Sequence, residues 1–596
     1  MAPSVRHVVL ITIDTLRADH VGAYGGAART PVLDGLARDG ARFEHAYATA
    51  PITLTSHASL MTGRYPPGHG GRHNGIRIDL KVPTLAEAFA RAGFATGGFV
   101  AAFPLDRRFG LIKGFQQYGD RMPRDARGGV TNDRPGRLVV DEALAWVADH
   151  RSDRIFLWVH LFEPHAPYGT AASAPSASAL ARYADDVAEA DAQVGRLLAG
   201  LGFDRAQTLI AVASDHGEAF GEHGEISHSV FTYDTTLRVP LIVSGAGIAP
   251  GQVLRDPVSL VDVAPTIARL AGLPNFDADG IVILPPEGGS YSASNLPARR
   301  LYAESFAPML DFGWAPLRTI RKGNWKYIAA PAPELYALDR DPGETRNLVA
   351  SEPATAADLA RQVEAISPAA LPANGDGAGS ADPEARARLQ ALGYAAGRGD
   401  GGGARPDPKD RRELAAQIAR VTSGELHGPA LEAALRAILR ADPQNPQANL
   451  RLGFVLIDAG KCAEAIGRFN AAIAGGVPGA DAHLGRAGCE MAAKNPAAAR
   501  RTLEIAASLD PDNAVIAANL GLALSDAGQP AAAIPHLQRA LSLDPDLHQG
   551  RFALAIAYAQ TGRRSDAAAE AADLLRRLPA DAPQRAEVER LLAAVR

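Results

Sequence analysis

The chain has 596 residues, 47% of them apolar and 21% charged, and its 61 Lys and Arg against 66 Asp and Glu leave a net charge of -5. That supplies enough apolar surface for two or three packed domains and excludes a disordered chain. Near-balanced charge with no long basic tract argues against a nucleic-acid partner. No run approaches 18 apolar residues, so no membrane span is expected, and the chain as written reads as cytoplasmic.

From residue 8 to about residue 245, short β-branched runs at 8–13, 155–160, 208–213 and 239–243 alternate with helix-like stretches such as 84–91 and 178–201. This alternation predicts an α/β fold, a mostly parallel sheet with helices on both faces. The pattern continues through 261–273 and ends in a hairpin-like region at 318–348. Residues 369–410 are rich in Gly, Pro, Asp and Ala, and read as a linker carrying one short helix at 383–394.

Beyond the linker, self-similarity takes over. Asp442-Pro443, Asp510-Pro511 and Asp544-Pro545 are 68 and 34 residues apart, and Gly460, Gly528 and Gly562 keep the same phase. A 34-residue unit of two helices around a Gly turn resembles the tetratricopeptide repeat, over 411–596. The domain expectation is therefore a catalytic domain at 1–368, a linker at 369–410 and an all-α repeat solenoid at 411–596.

Both cysteines, Cys462 and Cys489, lie in the repeats, so no disulfide framework or cysteine-rich zinc site is available upstream. Histidines cluster before Ser229, and several stand beside carboxylates at strand ends. Asp14 follows one strand and Asp215-His216 follows another, which delivers two carboxylates and an imidazole to one sheet edge. That set suits a divalent cation, although a single Asp after a strand is more often a helix cap. In TLTSHASLMTGRYP (53–66), hydroxyl residues precede a helix-like run. A hydroxyl there can meet an anionic substrate at free backbone N–H groups, or can simply cap the helix.

Together with these segments, HLFEPHAPY, SDHGEAFGEHG, LRVPLIV, LVDVAPTIARLAGLP and ELYALDRDPGETRNL make residues 6–348 resemble the sulfatase family of the alkaline-phosphatase superfamily. The resemblance implies a metal-dependent hydrolase of anionic esters. It places Thr53 at the nucleophile position, and His57 and Asn74 beside the substrate. His165 and His228 fall where family members hold the transferred oxyanion or protonate the leaving group. Asp14, Thr53, Asp215 and His216 match one metal site.

The departures are informative. Thr53 occupies the place of the Cys or Ser that becomes formylglycine, so no formylglycine is expected. Thr15 replaces a second Asp, and His57 replaces an Arg. The remaining pattern resembles superfamily members with an unmodified Thr or Ser nucleophile. It implies phosphate or phosphonate mono- or diesters ahead of sulfate esters. One divalent ion is expected, Zn, Mn or Fe ahead of Ca, and nothing in the first 400 residues supplies the Asp-x-x-x-His of a second. The alternatives are a degenerate scaffold whose repeats bind a peptide or protein partner, and a transferase that passes the group to an acceptor.

Overall fold

The structure is a computed structural model that describes residues 5–123, 131–170, 173–174, 177–284, 299–368, 405–475, 477, 480–511, 513–579 and 582–596. Its contacts divide the chain into two units, one ending at Glu425 and the other beginning at Leu426. Most of the expected linker, including its helix at 383–394, lies outside the described residues.

The first unit is built on an eight-stranded sheet. In chain order the strands are β1 (His7–Ile13), β2 (Gly40–Phe43), β3 (Ala95–Phe99), β4 (Gln117–Gly119), β5 (Ile155–Leu161), β6 (Thr208–Ser214), β7 (Leu241–Gly245) and β8 (Gln252–Leu254). In space they run β8-β2-β7-β6-β1-β5-β3-β4. β1 is parallel to both β5 and β6, and only β7 runs antiparallel to its neighbours.

All seven residues of β1 are buried, as expected of a central parallel strand covered on both faces. Side chains alternate between the faces. Val9, Ile11 and Ile13 join an apolar cluster with Val139, Ala143, Val187 and Val194 from helices at Gly136–Asp149 and Ala179–Leu201. Thr12 points the other way, toward helix α1 (Thr53–Thr62), whose ten residues are all buried. On that second face Phe156 stacks on Phe89 of the helix Leu85–Arg91, with ring centroids 4.4 Å apart.

The register fixes where the chemistry sits. Ile13 pairs with Leu161 of β5 and Ser214 of β6, so three parallel strands end level with one another. The residues that follow them meet at one edge, the place where an open α/β sheet binds ligands. A four-stranded antiparallel sheet, Arg300–Ser305, Leu317–Lys322, Trp325–Ala329 and Glu334–Ala337, accounts for the hairpin-like region.

The domain boundary differs from the sequence expectation. The helix α2 (Arg412–Thr422), expected to open the repeats, belongs to the first unit. Its Leu414, Ala415 and Ile418 pack against Val230, Phe231, Trp314 and Leu317. Asp407 accepts from the Ala332 N–H at 2.8 Å, and Arg182 pairs with Glu425 at 2.7 Å, which ties the segment down at both ends.

The second unit is a run of paired helices in the expected phase. Gly460, Gly528 and Gly562 have φ of 72°, 74° and 79°, the left-handed turn that lets the first helix of each pair end and the chain reverse. Among the described residues no helix is long and apolar enough to cross a membrane.

Candidate active site

Asp14 leaves β1 fully buried, and neither carboxylate oxygen has a hydrogen-bond partner. Asp215 leaves β6 beside it. Its Oδ1 accepts from the backbone N–H of Thr15 (3.3 Å) and of His216 (2.9 Å), and its Oδ2 has no partner. The His216 Nδ1 lies 3.0 Å from the Gly217 carbonyl. A carbonyl can only accept, so in the neutral ring the proton is on Nδ1 and the lone pair is on Nε2. That nitrogen is itself without a partner, 3.4 Å from Asp215 Oδ2 and 3.7 Å from Asp14 Oδ1. Two carboxylates and one imidazole lone pair thus converge on one point.

Burial pushes the Asp14 carboxyl up, and His165 and His216 only partly oppose that. Burial acts to lower His216, but Asp215 and Asp14 outweigh it and the imidazole is raised. A carboxylate with no hydrogen bond is costly inside a protein. A divalent cation answers this donor set, and Asp14, Asp215 and His216 fit one.

A second group, His57, His160 and Asp215, is close enough to hold an ion but is wired differently. His57 Nδ1 donates to the Thr53 carbonyl at 2.8 Å, and its Nε2 accepts from the Thr12 hydroxyl at 3.0 Å. His160 Nδ1 accepts from the Ala101 N–H at 3.3 Å, so the proton of the neutral ring sits on Nε2, 3.4 Å from Asp14 Oδ2. Burial holds His57 down to about 3 and His160 down to about 4, so both are neutral. Neither ring offers a lone pair to a cation, since each already accepts from the protein, and the His57 N–H is spent on the Thr53 carbonyl. His57 was expected at the substrate, yet the protein occupies both of its nitrogens.

Thr53 opens α1. Ile52 before it has no side-chain oxygen, so no local cap is available, and the Asn74 Oδ1 accepts from the Leu54 N–H at 2.9 Å instead. Asn74 therefore fixes the helix start. The first turn is also pinned to the strand ends, since Ser56 Oγ donates to the Asp215 carbonyl at 2.6 Å and His57 Nδ1 lies 3.5 Å from Asp215 Oδ2. At the other end Gly63 has φ of 66°, and a Cβ there would come 2.6 Å from that of Ala278. The helix is fixed at both ends.

Thr53, His165 and His228 line one cavity of about 250 Å³. His165 Nδ1 donates to the Ala166 carbonyl at 2.6 Å, and its ring stacks on Phe162 with centroids 4.3 Å apart. Burial holds its pKa down, while Asp14 acts to raise it. The His228 Nδ1 lies 3.1 Å from the Glu218 carboxylate, and its ring centroid is 4.5 Å from that of His216 and 5.1 Å from that of His165. Burial acts to raise Glu218, but His228 and its other partners hold it low. Every residue expected at the site lies in this neighbourhood. Sequence reasoning missed the far wall of the cavity, which α2 supplies. Its apolar face with no Asp-Pro or Gly in the repeat phase was the available signal.

A family profile described as Sulfatase matches residues 6–273, and profiles described as Tetratricopeptide repeat match 452–514 and 524–595. A choline-sulfatase of Rhizobium meliloti (strain 1021) is 27% identical over 406 residues, covering 53% of this chain and 77% of that protein. Arylsulfatase A of Bos taurus is 27% identical over 451 residues, covering 61% and 87%. The crystal structure of a phosphonate monoester hydrolase of Agrobacterium radiobacter shares the fold at a TM-score of 0.50 and 22% identity, covering 61% of this chain and 95% of that one. Residues 6–273 are thus a sulfatase-family domain, the hydrolytic part of an ester-hydrolysing enzyme, and tetratricopeptide repeats follow it in the same chain.

Proposed function

We propose that this chain hydrolyses phosphate or phosphonate esters, with sulfate esters as poorer substrates, through the Thr53 hydroxyl. The observation that carries the reading is the convergence of Asp14, Asp215 Oδ2 and the His216 Nε2 lone pair beside the pinned first turn of α1. A divalent cation held by Asp14, Asp215 and His216 would supply charge neutralisation and lower the pKa of a nearby hydroxyl. The mixed carboxylate and imidazole donors favour Zn, Mn or Fe over Ca.

The remaining work falls to side chains. With its proton lost to solvent, the Thr53 oxygen attacks phosphorus, and the bond from phosphorus to the organic alcohol breaks. The departing oxygen takes the Nε2 proton of the His228 imidazolium, whose Nδ1–H is committed to Glu218, and the ring is left neutral. His165, held by the bond from its Nδ1–H to Ala166, turns Nε2 toward the non-bridging oxygens and donates to them once that nitrogen takes up a proton. Water then gives a proton back to His228 Nε2 and attacks phosphorus, the bond from phosphorus to the Thr53 oxygen breaks, and charge placement supplies most of the acceleration. A formylglycine hydrate can expel sulfate by collapse; a threonine ester must itself be hydrolysed, which favours phosphorus esters.

Thr53→Ala tests the assignment. Turnover should fall by about 10³-fold or more, with substrate binding changed far less. A folded, ion-loaded Thr53→Ala protein with full activity would refute it.

A further inference from the structure

The cavity over Thr53 has a wall that lies outside the matched sulfatase region. Ala415, Ile418, Ala419 and Thr422 line it from one face of α2, at the i, i+3, i+4, i+7 spacing that puts residues on the same side of a helix. Phe162 and Phe312 stand on its other walls, with Thr53 and His228 at the reacting end. α2 is held there by packing and by charge. Arg412 bonds to the Tyr233 hydroxyl at 3.1 Å and lies over the Phe231 ring, 5.7 Å from its centre, and the Arg182–Glu425 pair closes the far end.

Resting on the hydrolase reading above, we infer that this wall selects the ester's organic portion, and that the portion is a single compact, uncharged aromatic or aliphatic group. Size is the first argument. A cavity of about 150 Å³ accommodates benzene, and the cavity here is about 250 Å³, room for one ring and the group being transferred. Chemistry is the second. No Lys or Arg lines the cavity among the described residues, and the carboxylates of Asp133 and Asp311 border it. Among the described residues, a second negative charge on the organic portion would meet the Asp133 carboxyl with no Lys or Arg to offset it, Asp311 being already paired with His73 at 3.0 Å.

The test uses the full chain loaded with its preferred divalent ion, and the phenyl and 2-naphthyl members of whichever ester series it turns over. A further matched pair is 4-carbamoylphenyl against 4-carboxyphenyl. Wild type should prefer phenyl to naphthyl and carbamoyl to carboxy, each by about tenfold in kcat/KM. Ile418→Ala should raise the naphthyl-to-phenyl ratio about tenfold, and Ala419→Leu should lower it about tenfold, the scale that a few methylenes command in an apolar pocket. Because the two variants move the ratio in opposite directions, a general loss of fold cannot imitate the result. Unchanged ratios in both, with turnover still abolished by Thr53→Ala, would overturn the inference and leave the hydrolase reading standing. No turnover of any series by wild type would overturn both.

Discussion

The imidazole of His216 turns Nε2 to Asp14 across 3.7 Å, and this is the lone-pair nitrogen of the neutral ring because Nδ1 is bonded to the carbonyl of Gly217. The bond at Gly217 costs one residue of chain and decides the tautomer, which decides whether the ring can hold an ion at all.

The cluster should be unstable without its ion. In chelator, Asp14→Asn should therefore raise the unfolding midpoint, since leaving a buried carboxylate without a partner costs about 1–3 kcal/mol. With a saturating divalent ion the order should reverse. Wild type gains about 2.7 kcal/mol at a hundredfold excess over Kd, and the variant, lacking a ligand charge, gains much less. All four tryptophans lie between residues 146 and 325, so tryptophan fluorescence follows this unit alone.

Glu218 sets the proton position on His228. Glu218→Gln should lower kcat by about 10- to 100-fold with KM nearly unchanged, within the span that a positioned proton donor commands. His228→Asn should cost at least as much, and the double variant should cost no more than His228→Asn alone. Additive losses in a double-mutant cycle would separate the two residues.

His69 supplies a pH test away from the ion. Its Nδ1 accepts from the Gly71 N–H at 3.1 Å, and its Nε2 bonds to the Ser59 hydroxyl at 3.0 Å. Burial, helped by Arg72, pushes it down to about 3. The folded protein therefore keeps this ring neutral while the unfolded chain protonates it below about 6.5. Its contribution to stability is complete above that value and is lost as pH falls toward 3, at up to about 1.4 kcal/mol per pH unit. His69→Gln should be less stable at pH 7.5 and approach wild type near pH 5. Parallel fluorescence midpoints across that range would contradict this.

Lys494 stands one period after Gly460 and one before Gly528, and has φ of 55°. A side chain in that conformation costs about 1–2 kcal/mol relative to glycine. Lys494→Gly should slow amide exchange in the flanking helices, Asp481–Ala492 and Pro496–Leu509, by about fivefold or more. Faster exchange would mean that the lysine makes a contact worth more than the strain.

Much of this was legible in the sequence, for local reasons. β1, β5 and β6 are β-branched runs that end where polar residues begin, and the observed strands extend the expected ones by a single residue. Thr84 and Ser178 cap the helices they precede, by a mechanism that uses only the next three residues. What was not legible depends on distant partners. The cap of α1 comes from Asn74, twenty residues away from Leu54, and the Thr12 that occupies His57 comes from another element. The assignment of α2 to the repeats failed because helical periodicity identifies an apolar face without identifying what covers it.

The most direct measurement is anomalous diffraction from crystals of the full chain soaked with Mn or Zn. One strong peak is expected within bonding distance of an Asp14 oxygen, Asp215 Oδ2, His216 Nε2 and the Thr53 hydroxyl. A peak beside His57 and His160 with Asp14 left bare, or an ion held away from Thr53, would contradict it.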